Sequence, residues 1–195
     1  MARATRREVR VSGATGQRSG NLPADLTSFV GRGAELGEVR RLAEVSRLVT
    51  ITGPGGVGKT RLALRAASDV GKRFPDGVWV ADLSAVTRPL AVTYAIAKAL
   101  RMNTRGVSGV ADALAAHIAG KHLLLVLDTC EHLIDACAPL AERLLQAAPK
   151  LRIIATSRQR LGTSSEHMLA IGPLEVPAVG AEADLAALIL AVAKV

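Results

Sequence analysis

The chain has 195 residues, of which 49% are hydrophobic, 22% charged and only 2% aromatic, enough for one sizeable core built from Ala, Val, Leu and Ile. No apolar run approaches the roughly 20 residues that cross a bilayer, and MARATRREVRVSG lacks the apolar stretch of a secretory signal, so no membrane contact and a cytoplasmic location are expected. The net charge of +8 raises nucleic acid as a partner, but Arg3, Arg6, Arg7, Arg10 and Arg18 against Glu8 place +4 of it in residues 1–20. Residues 1–21 read as a disordered basic leader. Such a segment touches phosphates without reading bases, so this chain alone is expected to bind no specific DNA sequence.

Order is expected from LPADLTSFVGR onward. Ala34 to about Ser46 carries Leu36, Val39, Leu42 and Ala43 at helical spacing, with Val45 a further candidate for the apolar stripe. RLVTIT (47–52) is short, β-branched and closed by Gly-Pro-Gly-Gly, the pattern of a buried strand. A helix should run from about Gly58 to Val70, with Gly71 at its end. GVWVADLS (77–84) reads as a second strand, and 89–100 and 110–119 as two helices. HLLLVLD (122–128) is continuously apolar, as strands buried on both faces are. Residues 131–148 form the clearest amphipathic pattern, with Pro139 placed to kink it. LRIIATS (151–157) is a fourth strand and HMLAI (167–171) a short fifth. This alternation predicts an α/β fold, a mostly parallel five-stranded sheet flanked by helices. Residues 178–195 read as an atypical apolar tail. Its segment 182–194 has almost no polar face and suits either a partner or a lost continuation.

The chemistry concentrates at Gly53-Pro54-Gly55-Gly56-Val57-Gly58-Lys59-Thr60, a full phosphate-loop pattern between a strand and a helix. Glycines let successive backbone N–H groups turn toward phosphate oxygens, and the following helix adds its positive end. Lys59 supplies a charge for the β- and γ-phosphates, and the Thr60 hydroxyl suits Mg2+. Asp128, at the carboxyl end of its strand, is the candidate second metal group, the alternative being an ordinary strand-end turn residue. Arg158, after the fourth strand, is placed to meet a γ-phosphate or else is a solvated charge. Cys130 and Cys137, seven apart, read as two buried thiols rather than a metal pair.

In order, SFVGR, LVTITGPGGVGKTRLA, FPDGVWVADLS, LLLVLDTCEHL, LRIIATSRQRLG and EHMLAIGPLEVP carry a family resemblance. Over residues 22–177 the chain resembles the nucleotide-binding domain of bacterial STAND-class ATPases, relatives of the NB-ARC and AAA groups. It is most similar to that of actinobacterial transcriptional regulators of LuxR or SARP/AfsR type. The resemblance implies a P-loop NTPase sheet of ASCE type, with the strand before Arg158 between the phosphate-loop and Asp128 strands. It implies ATP/ADP and Mg2+ as cofactors, with Val30, Gly31 and Arg32 near adenine and ribose. It adds Arg61 to the nucleotide contacts and makes Arg158 the sensor arginine. It also implies a switch, closed with ADP and opened by ATP for assembly or signalling, and allows self-association or a protein partner through the C-terminal region.

Three departures qualify what the resemblance implies. Thr129 stands where relatives often carry a second acid, and threonine is no general base at neutral pH. Glu131 is the candidate substitute, and slow or absent hydrolysis is expected. The chain ends before the family's helical and winged-helix parts, and no helix-turn-helix or tetratricopeptide array is visible. A small phosphotransferase and a degenerate, non-functional fragment are the two competing readings.

Overall fold

The computed structural model describes residues 19–23, 29 and 31–174. Val30, the 178–195 tail and most of the expected leader lie outside the described residues. In chain order come α1 (Gly33–Val45), β1 (Leu48–Thr52), α2 (Lys59–Val70), β2 (Val78–Asp82), α3 (Ala91–Ala99), α4 (Val110–Ile118), β3 (Leu124–Asp128), α5 (Ile134–Ala147), β4 (Arg152–Ser157) and β5 (Glu166–Ala170). Each answers to an element expected from the hydrophobic pattern.

The largest boundary difference is at α5, which starts three residues later than its amphipathic pattern suggests. After β3 the chain bonds to β4 before it coils. Thr129 donates its N–H to the Thr156 hydroxyl at 2.9 Å, and Cys130 donates its N–H to the Thr156 carbonyl at 2.9 Å. Thr129 adopts a left-handed φ of 65° to do so. Pro139 does not end α5, which continues through it. Proline removes one donor from the helix, and burial of Leu140, Ala141, Leu144 and Leu145 holds the helix to the sheet. The far end of α5 is capped by Arg47, whose guanidinium donates to the carbonyls of Leu145 and Ala148, where a cation also meets the negative helix end.

The five strands are ordered β2-β3-β4-β1-β5 and every pairing is parallel. β4 therefore lies between β1 and β3, in the register Ile51↔Thr156 and Leu127↔Ala155. Alternate side chains feed two cores, one on each face. Leu125 and Leu127 join Ile96, Leu114 and Leu144 of α3, α4 and α5. Leu124 and Val126 join Val39, Leu62 and Ala66 of α1 and α2. Each such fully buried Leu or Val contributes about 1.5–3 kcal/mol relative to exposure. The two apolar layers fix where the strand ends, and hence the site, can lie.

Residues 19–21, assigned from the sequence to the leader, bond to the outer edge of β2. The Asn21 N–H donates to the Val78 carbonyl at 3.2 Å. The Asn21 side chain accepts from the Val80 N–H at 2.6 Å and donates to the Val80 carbonyl at 2.9 Å. Those bonds satisfy backbone groups that an open sheet edge leaves unpaired. Among the described residues, no helix is long and apolar enough to cross a membrane.

Candidate functional site

β1 delivers the chain at Thr52 to the loop of residues 53–58, and α2 begins at Lys59. Two glycines make the curl feasible. Gly58, with φ 96°, is the residue at which the loop enters α2, a conformation that costs a β-carbon residue strain. A β-carbon on Gly53 would collide with the Ile171 carbonyl, because the chain leaving β5 crosses directly over the start of the loop. Pro54, Gly55 and Gly56 are exposed at the crest. No side chain caps the N-terminus of α2, and the first N–H groups of a helix have no partner inside it. Lys59 is only 8% exposed, its ammonium held by the carbonyls of Gly53 and Pro54 at 2.9 Å each.

Asp128 ends β3 and is also buried. Its Oδ1 accepts from the Thr60 hydroxyl at 2.7 Å and from the Thr156 hydroxyl at 2.6 Å. The start of α2, the end of β3 and the end of β4 thus meet at one carboxylate, as the strand order requires. Thr129 reaches the second oxygen, Oδ2, at 3.5 Å. Thr156 joins two parts of the site, since its oxygen donates to Asp128 and accepts from the Thr129 N–H. Sequence reasoning missed it. The available signal was its place one residue before the end of a strand that closes on the candidate metal aspartate.

Arg158 follows β4 and is 68% exposed, with Nε 3.2 Å from Glu131 Oε1. It leans over the loop: a β-carbon on Gly55 would lie 3.8 Å from Arg158 Nη2. The other carboxylate oxygen of Glu131 is buried without a protein partner. Ser84, Thr129, Glu131, His132, Arg158 and Gln159 line a cavity of about 520 Å³ beside the loop. His132 is held at its rim by donating Nε2–H to the Val86 carbonyl at 2.7 Å. The structure therefore joins Thr60 and Asp128 directly, keeps the Lys59 ammonium on the loop carbonyls, and pairs Glu131 with Arg158.

The other expected nucleotide contacts are placed differently. Arg61 is exposed on the first turn of α2. Gly31 has a left-handed φ of 83° and lies close to the Leu174 side chain. Arg32 is buried, with its guanidinium donating to protein acceptors. Cys130 and Cys137 are buried free thiols. Hydrogen bonding with Cys137, together with burial, pushes the Cys130 thiol well above the ordinary thiol range, which makes it a poor nucleophile. Among the described residues, no group of three or more His, Cys, Asp and Glu side chains is arranged to hold a metal.

Residues 37–171 match the NB-ARC domain family. An uncharacterized protein of Mycobacterium tuberculosis is 43% identical over 151 residues, which is 77% of this chain and 38% of that protein. A putative HTH-type transcriptional regulator of the same organism is 42% identical over 128 residues, covering 66% of this chain and 14% of the regulator. The regulatory protein AfsR of Streptomyces griseus is 31% identical over 153 residues, covering 72% of this chain and 15% of AfsR. The chain thus spans 38% or less of the length of these relatives. Among solved structures, a STAND protein with a tetratricopeptide repeat sensor from Pyrococcus horikoshii superposes with a TM-score of 0.50 at 20% identity, over 80% of this chain and 25% of that one. The ORC2 protein of Aeropyrum pernix, solved in ADPNP-ADP complexes, gives 0.54 at 12% identity, over 76% and 50%. At such identities the likeness is one of fold.

Proposed function

The chain belongs to the NB-ARC family, and from that premise we propose that it is an ATP/ADP-binding regulatory module acting as a nucleotide switch. The observation that carries the reading is the bonded network of Thr60, Asp128 and Thr156 at the carboxyl edge of β3 and β4, beside a phosphate loop whose carbonyls hold the Lys59 ammonium. The residues fit the group. The crest glycine Gly56 has open space around it, α2 presents an uncapped N-terminus, and Lys59 supplies a buried cation. Thr60 and Asp128 offer the hard oxygen ligands that Mg2+ prefers. The metal, when bound, neutralises phosphate charge.

Within this reading Lys59 leaves its two loop carbonyls for phosphate oxygens, a charge-assisted exchange. Thr60 and Asp128 hold the metal, with Thr156 keeping the carboxylate oriented. Arg158, exposed and paired with Glu131, swings toward the γ-phosphate. It thereby distinguishes ATP from ADP. Thr129 contributes no base, so turnover is slow or absent. Similarity to an HTH-type transcriptional regulator and to AfsR supports placing the module in a cytoplasmic transcriptional regulator. Self-association or partner binding would then be the output of the switch, with DNA reading left to other segments.

Calorimetry with ATP, ADP and GTP, with and without Mg2+, tests the proposal. One adenine nucleotide per chain is expected, with ATP binding strengthened by Mg2+. Absence of binding by all three, or a preference for GTP, would remove the adenine-nucleotide switch.

A further inference from the structure

Three segments distant in sequence meet behind the phosphate loop. They are residues 31–35 at the start of α1, the loop itself, and residues 171–174 leaving β5. The Ile171 N–H continues the β5 pairing by donating to the Thr52 carbonyl at 2.8 Å. Its carbonyl then faces Gly53 so closely that only glycine fits there.

Arg32 stands at the centre of this junction, 4% exposed. Its Nη2 donates to the Val57 carbonyl at 2.9 Å and to the Gly172 carbonyl at 2.7 Å. Its Nη1 pairs with Glu35 Oε1 at 2.9 Å, which compensates a charge that is costly to bury alone. The bonds join positions 25 and 140 residues away from Arg32.

The Val57 bond acts on the loop's binding face. A trans peptide is planar, with its carbonyl and the next N–H on opposite sides. Pulling the Val57 carbonyl toward Arg32 therefore turns the Gly58 N–H away from Arg32. Gly58 is also the left-handed residue that starts α2, so this one bond sets the orientation of the loop where the helix begins.

We infer that Arg32 is a positioning residue: a strut that holds the phosphate loop in its binding shape and ties it to the 171–174 segment, without itself touching nucleotide. The inference rests on the nucleotide reading, and it reassigns Arg32 from the adenine and ribose to the phosphate end of the site. It also makes the loop responsive to the position of the segment leaving β5. A displacement there reaches the Val57–Gly58 peptide through one guanidinium.

The test compares two ligands, Mg-ATP and inorganic Mg-tripolyphosphate, which has phosphates but neither base nor ribose. Each is titrated into the full chain and into Arg32→Gln, Arg32→Lys and Glu35→Gln. A strut predicts that Arg32→Gln weakens both ligands by the same factor, about tenfold, as expected for losing a charged hydrogen bond. Arg32→Lys should recover part of it, because an ammonium can still donate to a carbonyl. Glu35→Gln should give a smaller loss, again equal for the two ligands, and keeps the test open if Arg32→Gln fails to fold. Stoichiometry near one site per chain separates weakened binding from a smaller folded fraction.

A loss confined to ATP, with tripolyphosphate unchanged, would mean that Arg32 contacts base or ribose and would overturn the inference. Unchanged affinity for both ligands alongside a lower melting temperature would reduce Arg32 to a packing residue and overturn it equally. If the wild-type chain binds neither ligand, the nucleotide reading fails first and takes the inference with it.

Discussion

Two arginines flank the phosphate loop, and their surroundings are opposite. Arg32 is 4% exposed and bonded to three segments, whereas Arg158 is 68% exposed and, among the described residues, paired with Glu131. One wall of the site is thus built into the core, and the other lies at the surface. A buried, multiply bonded guanidinium is expensive to disturb, so it suits a fixed frame. An exposed ion pair is worth about 0–1 kcal/mol, so phosphate can draw Arg158 away from Glu131 at little cost. On the proposed reading, the contrast separates the parts that would hold a nucleotide from the part that would report on it.

The largest effect should come on the fixed side. Lys59→Ala removes the buried ammonium, a loss of about 1.5–3 kcal/mol in a charge-assisted contact, and should cut Mg-ATP affinity by one to two decades in calorimetry. Equal affinity of variant and wild type would break the comparison at its root. Next comes Thr156→Val, which keeps shape but leaves Asp128 and the Thr129 N–H each short of a partner. A buried group left unsatisfied costs about 1–3 kcal/mol. Urea unfolding should register that loss, and an unchanged midpoint would mean that the Asp128 network contributes little.

The smallest effect on stability is expected at Arg158→Ala. Its unfolding free energy from urea titration should stay within about 0.5 kcal/mol of wild type, as for most surface changes. On the proposed reading, in which the arginine meets only the γ-phosphate, its ATP affinity should nevertheless fall toward that of ADP. A variant that keeps the full preference for ATP would leave the exposed wall without a sensing role. A variant that unfolds readily would show that this wall is part of the frame after all.

All five strands and the five α-helices were legible because their signals are local. β3 reads as LLLVLD because both its faces are covered, and β1 reads as LVTIT for the same reason. The phosphate loop was legible because its requirement is steric and falls on consecutive residues. The start of α5 was not. Helical periodicity extends back to Glu131, but the chain from Thr129 to Cys130 spends its N–H groups on Thr156 before it can coil. Glu131 and Arg158 were each named as candidates from opposite ends of the fold. Their pairing with each other was not foreseen.

The sequence by itself determined the alternation of strands and helices, the glycine loop with Lys59 and Thr60, and an aspartate at a strand end. Each of these is written in the spacing of near neighbours. That β4 lies between β1 and β3 was implied only by the family resemblance. Tertiary structure alone decided that Thr156 meets Asp128 across that insertion. It also decided that Arg32 spends its donors on carbonyls 25 and 140 residues away. The physical reason is that a hydrogen bond is satisfied by whatever acceptor the packed layers bring within about 3 Å. Hydrophobic periodicity specifies which face of a strand or helix is buried. It carries no information about which backbone carbonyl will be waiting there.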